Sequence, residues 1–478
     1  MSLILCLLLF LIPTSDLALG SNRTLDQATS KQFSPETAYS LGTSQEGLEQ
    51  SDTLEVFYTF LYENREAHQH SIQFLKDNWD EAYIPLLIDI LHMSVDEWLK
   101  EELAGILEQK TKQEYRTDYF QWLQWMWTKE PMYKDFYGDF KSRLYSYIDL
   151  PFDQYFRDRH HLTTIRLDEV VWGGVPQDGI PPLRYPKALT IQAANYLSDN
   201  DVVFGIFING EAKAYPKRIL GWHELFIDKI GGVEIAGVYC TLCGTVIAYD
   251  VEHNGIKHQL GTSGFLYRSN KLMYDEATQS LWSTIEGKPV IGPLVKQDIV
   301  LKTYSVTTTS WGKWKQKHPD TQVLSLDTGH QRNYDEGAAY QEYYATDRLM
   351  FPVAKTDNRL ANKAEVLIIR VPGYRKDPLA ISTAFLKKRK KKIYQDKIAD
   401  TSFVILIETN GASRVYEGAD IQFDSYRKGV LKDKDGQTWA VSESDLKSKD
   451  GRILKRLPSH RIFWFAWFNA YPKTRLIK

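Results

Sequence analysis

Cysteine is almost absent from this chain of 478 residues, which has only Cys6, Cys240 and Cys243. A small scaffold held together by disulfides is therefore excluded, because such scaffolds need several cysteine pairs. The chain also lacks an excess of charge of either sign, with 59 Lys and Arg against 61 Asp and Glu. Without surplus basic residues, nonspecific nucleic-acid binding is excluded as the main activity.

Several signature motifs of enzymes are missing as well. The sequence contains no Gly-rich phosphate-binding loop, no dinucleotide-binding fingerprint, no His-Glu-x2-His zinc motif and no Gly-x-Ser-x-Gly nucleophile elbow. We therefore expect no nucleotide cofactor. After the N-terminus no apolar run approaches the roughly 20 residues that a bilayer-spanning helix needs. No transmembrane helix is expected there.

The N-terminal residues have the composition of an export signal. An apolar run extends from Leu3 to Pro13, and small residues follow at Ala18 and Gly20, as at a signal-peptidase site. We predict a signal peptide over residues 1–20 and an extracytoplasmic protein, either periplasmic or secreted. The next segment is rich in Ser, Thr, Gln and Glu without an apolar period, which predicts a disordered linker over 21–50.

The rest of the chain changes from a helical pattern to a strand pattern. Apolar residues such as Ile84, Leu87 and Leu91 recur at helical spacing, which predicts an α-helical domain over residues 51–150. From about residue 160, short apolar runs separated by Asn-Gly turns predict strands. The expected fold class is α+β, with the helical domain followed by a β-rich domain.

The β-rich part contains an internal repeat of two Trp, one Pro and one Thr at identical spacing. The repeated residues are Trp311, Trp314, Pro319 and Thr321 in the first copy and Trp464, Trp467, Pro472 and Thr474 in the second. The pattern predicts a duplicated fold with copies over 160–325 and 365–478, joined by a connector over 326–364.

Reactive residues are confined to the first copy. In the alignment of the two copies, Cys240 and Cys243 correspond to Ile407 and Asn410. A purely structural element would more readily be kept in both copies. We therefore expect the functional site in the first copy.

Cys240 and Cys243 form a Cys-x2-Cys-Gly turn between two predicted strands. A metal site, a redox or nucleophilic thiol, and an inert disulfide or packed thiol pair are the three interpretations. The predicted strand after the turn argues against a thioredoxin-like dithiol, whose reactive cysteine begins a helix. Zinc needs four ligands, whereas a soft Cu(I) site needs fewer. The candidate cofactor is copper or zinc, with His223 as a third ligand and Glu224 as a fourth or outer group.

Other polar and aromatic residues are candidates for lining a pocket at this site. They are Tyr239, Ser263, Tyr267, Ser269, Asn270, Asp275, Trp282 and His318. A hydrolase-like use of the loop from Ser263 to Asp275 is the least favoured interpretation. The basic run from Lys387 to Lys392 is interpreted as a solvated helix face in preference to a membrane or polyanion patch.

Blocks of consecutive residues in the second half of the chain resemble a known family. The blocks are Gly173–Pro181, Asn209–Pro216, Tyr239–Thr245, Gly264–Asp275, His318–Thr321 and Phe463–Trp467. In this order they are similar to the family catalogued as domain of unknown function 3179, over about 165–478. The resemblance implies no activity, but it implies that the second cysteine position varies, which gives more weight to Cys240 with His223.

The expected function is a Cys/His transition-metal or thiol site in the first copy of an extracytoplasmic protein. The alternative is a noncatalytic secreted binding module with a structural disulfide and an aromatic recognition surface. The expected ligand is a small molecule, a metal or a polymer. Whether the protein is an enzyme is left open by the sequence.

Overall fold

The computed structural model describes residues 50–62, 64–159, 161–371 and 378–478. The predicted signal peptide and nearly all of the predicted linker lie outside these residues. Among the helices that are described, none combines the length and the apolar character needed to cross a membrane. Contacts divide the chain into two compact units: the first runs to residue 117 and includes 132–140, and the second comprises 118–131 and 141–478.

The N-terminal region is helical, as its apolar spacing predicts. Its helices are α1 (Gln50–Thr59), α2 (Arg65–Asp77), α3 (Ile84–Met93), α4 (Glu97–Thr111), α5 (Tyr119–Met126), α6 (Tyr137–Ser146) and α7 (Asp153–Phe156). Helix α4 begins where the Asp96 carboxylate accepts hydrogen bonds from the main-chain N–H groups of Trp98 and Leu99. In the first unit, Phe57, Leu87 and Leu103 are fully buried.

From residue 170 the chain is dominated by short strands, and the predicted α+β class is confirmed. The strands before the connector are β1 (Val170–Trp172), β2 (Leu183–Arg184), β3 (Ala188–Leu189), β4 (Val202–Ile208), β5 (Glu211–Pro216), β6 (Leu225–Ile230), β7 (Val233–Cys240), β8 (Thr245–Asp250), β9 (Glu252–His253), β10 (Ile256–Lys257), β11 (Leu260–Tyr267), β12 (Asn270–Asp275), β13 (Leu281–Ser283), β14 (Lys288–Ile291), β15 (Thr303–Tyr304), β16 (Thr307–Ser310) and β17 (Gln322–Leu324). Helices α8 (Lys217–His223) and α9 (Trp311–Lys317) lie among them, and α10 (Gln341–Ala345) follows in the connector.

The C-terminal part has a similar succession of elements. Its strands are β18 (Glu365–Ile369), β19 (Leu379–Ser382), β20 (Ile393–Ile398), β21 (Thr401–Ile407), β22 (Ser413–Glu417), β23 (Phe423–Arg427), β24 (Val430–Asp433), β25 (Thr438–Val441), β26 (Asp445–Ser448), β27 (Ile453–Lys455), β28 (Ser459–Phe463) and β29 (Arg475–Ile477). Its helices are α11 (Thr383–Lys387) and α12 (Trp464–Ala470).

The sheets of these two parts of the chain have matching strand orders. The sheet order β16-β4-β5-β17-β3 in the first part has its counterpart in β28-β18-β19-β29 in the second. In both sheets the first two neighbouring pairs are antiparallel, and the last shared pair, β5 with β17 or β19 with β29, is parallel. The order β15-β8-β7-β6-β2 likewise compares with the meander β20-β21-β22, and β1-β11-β12-β13-β14 with β23-β24-β25-β26-β27.

The repeated Trp and Thr residues make the same contact in both parts. The indole N–H of Trp314 donates to Thr321 Oγ1 at 2.9 Å, and that of Trp467 donates to Thr474 Oγ1, also at 2.9 Å. The hydroxyl of Thr321 in turn donates to the carbonyl of Ala212 in β5, and that of Thr474 to the carbonyl of Pro378 just before β19, both at 3.0 Å. A buried indole N–H needs such a partner, so this spacing holds each helix against its sheet.

Replacing either threonine by valine tests the value of this contact. We predict that Thr321→Val and Thr474→Val each lower the free energy of unfolding by about 1–3 kcal/mol, because a buried indole N–H loses its acceptor. The measurement is urea denaturation followed by circular dichroism. Thr346→Val, at an exposed position, serves as the control and should change stability by less than about 0.5 kcal/mol. Equal effects of all three substitutions would contradict the prediction.

Candidate functional site

The two cysteines lie in the tight turn that joins β7 to β8. The main-chain N–H of Cys243 donates to the carbonyl of Cys240 at 3.1 Å. Gly244 follows with a φ of +60°, and a Cβ there would come within 2.6 Å of the Phe463 ring, so only glycine fits. Both cysteines are free thiols, 1% and 0% exposed. The turn therefore buries two sulfur atoms side by side.

The hairpin of β11 and β12 brings hydrogen-bond donors to both sulfurs. Its turn consists of Arg268 and Ser269, both with positive φ, as in the two-residue turns that match strand twist. Beyond the turn, the Asn270 side-chain amide donates to Cys243 Sγ at 2.9 Å and lies 3.8 Å from Cys240 Sγ. The main-chain N–H of Lys271 donates to the Cys240 sulfur.

These surroundings shift the pKa values of the two thiols in opposite directions. Burial raises the pKa of Cys240, but hydrogen bonds from the Cys243 thiol and from the Lys271 main chain outweigh it, so its pKa lies below the usual value. Burial and the adjacent Cys240 sulfur hold the pKa of Cys243 well above the usual value. Cys240 is therefore the sulfur that carries negative charge first.

A buried ion pair is hydrogen-bonded to the cysteine turn. Lys271 Nζ lies 2.5 Å from Glu224 Oε2, and the two residues are 7% and 4% exposed. The other carboxylate oxygen of Glu224 accepts hydrogen bonds from the Thr241 hydroxyl at 2.6 Å and the Tyr340 hydroxyl at 3.1 Å. Glu224 thus links the turn, the hairpin and the connector.

Residues of the connector cover the turn. The hydroxyls of Tyr343 and Tyr344 donate to the carbonyls of Leu242 and Thr241 at 2.8 and 2.9 Å. The Tyr344 hydroxyl also lies 2.9 Å from that of Tyr239. A further hydrogen bond runs from the Ser269 hydroxyl to the carbonyl of Pro352, which places the connector over the hairpin as well.

His223 lies close in sequence to Glu224, but its ring makes other contacts. Its Nδ1 lies 2.9 Å from the carbonyl of Pro181 and its Nε2 2.6 Å from the Tyr334 hydroxyl. A carbonyl only accepts, so Nδ1 carries the proton and Nε2 accepts from Tyr334. Burial lowers the pKa of His223 to about 4. Over the part of the chain that the structure describes, no group of three or more His, Cys, Asp or Glu side chains is placed to hold a metal ion.

Four of the predicted lining residues have polar partners that are not part of the cysteine turn or the connector. The Ser263 hydroxyl donates to the Leu272 carbonyl at 2.7 Å, Asp275 pairs with His258 at 3.1 Å, and His318 lies 3.3 Å from Glu443. The partially buried Tyr267 ring lies beside Glu169 and Arg268.

Trp282, also a predicted lining residue, is fully buried in the core under β6 to β8. Of the eight predicted lining residues, Tyr239, Ser269 and Asn270 have the contacts with the turn, hairpin and connector described above. Lys271 and the connector residues Tyr340, Tyr343 and Tyr344 were not among the predicted site residues. The clustering of tyrosine between positions 334 and 344 was the sequence signal that could have indicated the connector.

The fold and this turn define an α+β protein with a buried cysteine pair held between a hairpin and a connector. The family described as "Protein of unknown function (DUF3179)" matches residues 177–474, which is more than half of the chain. The chain belongs to this family, as the sequence resemblance predicts. No curated protein and no solved structure matches it.

We predict that the Glu224–Lys271 pair contributes strongly to the free energy of unfolding. Lys271→Met alone should lower the free energy of unfolding by about 3–5 kcal/mol, because it leaves a buried carboxylate without its cation. Combining it with Glu224→Gln should restore part of the loss, as measured by a double-mutant cycle in urea. Lys187→Met, in an exposed pair with Asp327, should cost less than about 1 kcal/mol. If the losses of stability in the two single variants simply added up in the double variant, the predicted coupling between Glu224 and Lys271 would be contradicted.

His223 is predicted to make folding stability depend on pH. Its pKa is about 4 in the folded chain against 6.5 for a free histidine, so only the unfolded chain takes up a proton between these values. Stability should therefore fall as the pH is lowered from 6.5 to 4. His223→Asn should reduce that slope by up to about 1.4 kcal/mol per pH unit, measured by urea denaturation at several pH values. An unchanged slope in His223→Asn would contradict the prediction.

Proposed function

We propose that Cys240 and Cys243 form a soft-metal thiolate site and that its ion is monovalent copper. The observation that carries the proposal is the pair of N–H donors directed at the two adjacent sulfurs, from the Asn270 amide and the Lys271 main chain. Donors of this kind stabilise sulfur as thiolate, the form that binds metal, and at Cys243 the ion would displace the proton that the raised pKa retains there.

Ligand number favours copper over zinc. Structural zinc takes four ligands, whereas thiolates are soft donors that select Cu(I), which accepts fewer. Within the described ranges the two cysteines are not joined by a third metal-binding side chain. His223, predicted as a ligand from the sequence, has both ring nitrogens engaged by Pro181 and Tyr334. We therefore propose a site of two sulfur ligands.

Charge supports a cation bound between the two sulfurs, whereas the choice of Cu(I) rests on ligand number. Two thiolates beside the Glu224–Lys271 pair would leave two uncompensated negative charges in a buried region, and burying unpaired charge is costly. One Cu(I) ion between the sulfurs removes half of that excess. After the larger effects of burial and hydrogen bonding, the Glu224 charge raises the pKa of Cys240 and the Lys271 charge lowers it, so the ion pair itself does not supply the missing cation.

A thiol–disulfide couple is the second candidate, and the opposite pKa shifts of the two cysteines favour it. A thiolate next to a protonated thiol is the arrangement from which a cysteine pair attacks a disulfide and then resolves the mixed intermediate. Cys240 would attack and Cys243 would resolve. Because the sulfurs are 0–1% exposed, the connector tyrosines would have to move to admit a disulfide substrate.

The binding-module alternative receives less support. An aromatic recognition surface needs exposed rings, yet Trp282, Trp311, Trp314, Trp439 and Trp464 are all fully buried. The two cysteines are free in this structure, so the structural disulfide of that alternative receives no support from it.

We also propose that residues 160–325 and 365–478 are two copies of one fold and that the first copy carries the site. The matching sheet orders and the two Trp–Thr hydrogen bonds support duplication. An extracytoplasmic location remains part of the proposal and rests on the apolar run from Leu3 to Pro13.

Copper binding to the reduced full chain tests the function. We expect about one Cu(I) per chain in an anaerobic titration against a competing Cu(I) chelator, with the metal content checked by elemental analysis. Cys240→Ser and Cys243→Ser should each abolish binding, because one sulfur cannot hold the ion alone. His223→Asn and Cys6→Ser are the controls and should retain it.

Three outcomes would contradict the copper site. If Cys240→Ser still bound copper, the copper site would lie elsewhere in the chain. If the protein bound one equivalent of zinc with four ligands, the site would be a zinc site and not a two-ligand copper site. Copper-free protein in which Cys240 and Cys243 interconvert between thiols and disulfide in a glutathione buffer would instead support the redox couple.

A further inference from the structure

Two loops of the C-terminal part bring eight cationic side chains together. Six are the consecutive residues from Lys387, which ends α11, to Lys392, directly before β20. The other two are Arg427, which ends β23, and Lys428, in the turn between β23 and β24. The main-chain N–H of Tyr426 donates to the carbonyl of Lys391 at 3.0 Å, which holds the two loops side by side. We call these eight residues the basic surface.

The basic surface is exposed and weakly compensated. Lys387 to Lys391, Arg427 and Lys428 are all exposed, and Lys392 is half-buried. Among the described residues, Asp424 is the carboxylate that forms an ion pair with it, 2.7 Å from Lys391 Nζ. The chain as a whole has a formal net charge of −2, so this concentration of positive charge is a strong local asymmetry.

We propose that the basic surface docks the protein onto a membrane that contains anionic lipids. Six of its eight cations are lysines, whose ammonium groups act as mobile point charges without directional preference. That property suits a diffuse layer of headgroups, which presents many negative charges without a fixed geometry. One of the two arginines, Arg389, is already stacked against Phe385 and Tyr394.

The shape and composition of the turn agree with a lipid partner. Lys428 and Gly429 form a tight turn with positive φ, and Val430, directly after it, is 43% exposed. A projecting turn that combines cations with an exposed apolar side chain can enter the headgroup layer. A polyanionic polymer would need only the charges, so the exposed apolar side chain beside them favours the lipid surface.

The basic surface also has a counterpart in the N-terminal part of the β-rich unit. Lys428 and Gly429 occupy in their hairpin the place that Arg268 and Ser269 occupy beside the cysteines, since both pairs are two-residue turns with positive φ. The loop after α11 likewise corresponds to the end of α8 at His223. If the two parts are copies, as proposed above, equivalent positions bear the thiol site in the first copy and the basic surface in the second. The docking proposal itself depends only on the charge and exposure of the basic surface.

Co-sedimentation of the full chain with vesicles tests the proposal. We expect binding to vesicles of 70% phosphatidylcholine and 30% phosphatidylglycerol to exceed binding to pure phosphatidylcholine at least tenfold, and to weaken as NaCl is raised. The triple variant Lys387→Glu, Lys388→Glu, Lys390→Glu should lose at least tenfold in partition coefficient. Cys240→Ser should bind like wild type, because the surface does not depend on the thiol site.

A charge-matched variant separates this surface from a general charge effect. Lys447→Glu, Lys449→Glu, Lys455→Glu makes the same change at exposed positions of the same part of the chain and should retain wild-type binding. Circular dichroism and thermal midpoints would verify that both triple variants fold. Equal losses in the two variants, or no preference of the wild type for anionic vesicles, would overturn the proposal. Binding to heparin without binding to anionic vesicles would overturn it in favour of a polyanionic polymer.

Discussion

A carboxylate buried away from water must find cationic and hydrogen-bonding partners, and this requirement at Glu224 organises the cysteine site. Its partners are Lys271 from the hairpin, Thr241 from the cysteine turn and Tyr340 from the connector. Three segments distant in sequence are thereby held in one place. The same alignment sets the main-chain N–H of Lys271 and the amide of Asn270 on the two sulfurs. The hairpin that supplies the cation for Glu224 therefore also supplies the hydrogen-bond donors of both thiols.

The two parts of the β-rich unit combine a shared framework with different surfaces. In both, a Trp indole and a Thr hydroxyl hold a short helix against a sheet of the same strand order. The turn between β7 and β8 carries two cysteines, whereas the corresponding turn between β21 and β22 carries Asn410, whose amide donates to Thr309. A framework of buried aromatic contacts tolerates such changes, because turn residues contribute little to the core. The turns of the two parts therefore differ in side-chain chemistry on a similar framework.

Much of the framework could be predicted from local pattern, and part of the site could not. Helical spacing predicts the N-terminal helices, and the strand after Cys243 follows from its apolar and β-branched residues. The interpretation of His223 shows the limit of sequence proximity. It precedes Glu224 directly, yet its ring is engaged by Pro181 and Tyr334. Adjacent residues at the end of a helix point in different directions, and the left-handed backbone of Glu224, with φ of +57°, separates them further.

By itself the sequence determined the α+β class, the Cys-x2-Cys-Gly turn and the recurrence of the Trp–Thr spacing, because each depends on residues close together in the chain. Only the tertiary structure decided which groups face the sulfurs. Asn270 and Lys271 arrive from a hairpin and Tyr340 from the connector, and no local periodicity encodes contacts between such distant segments. Burial is likewise a property of the packed molecule. It lowers the pKa of His223 and raises that of Cys243, because desolvation penalises the charged form of each group.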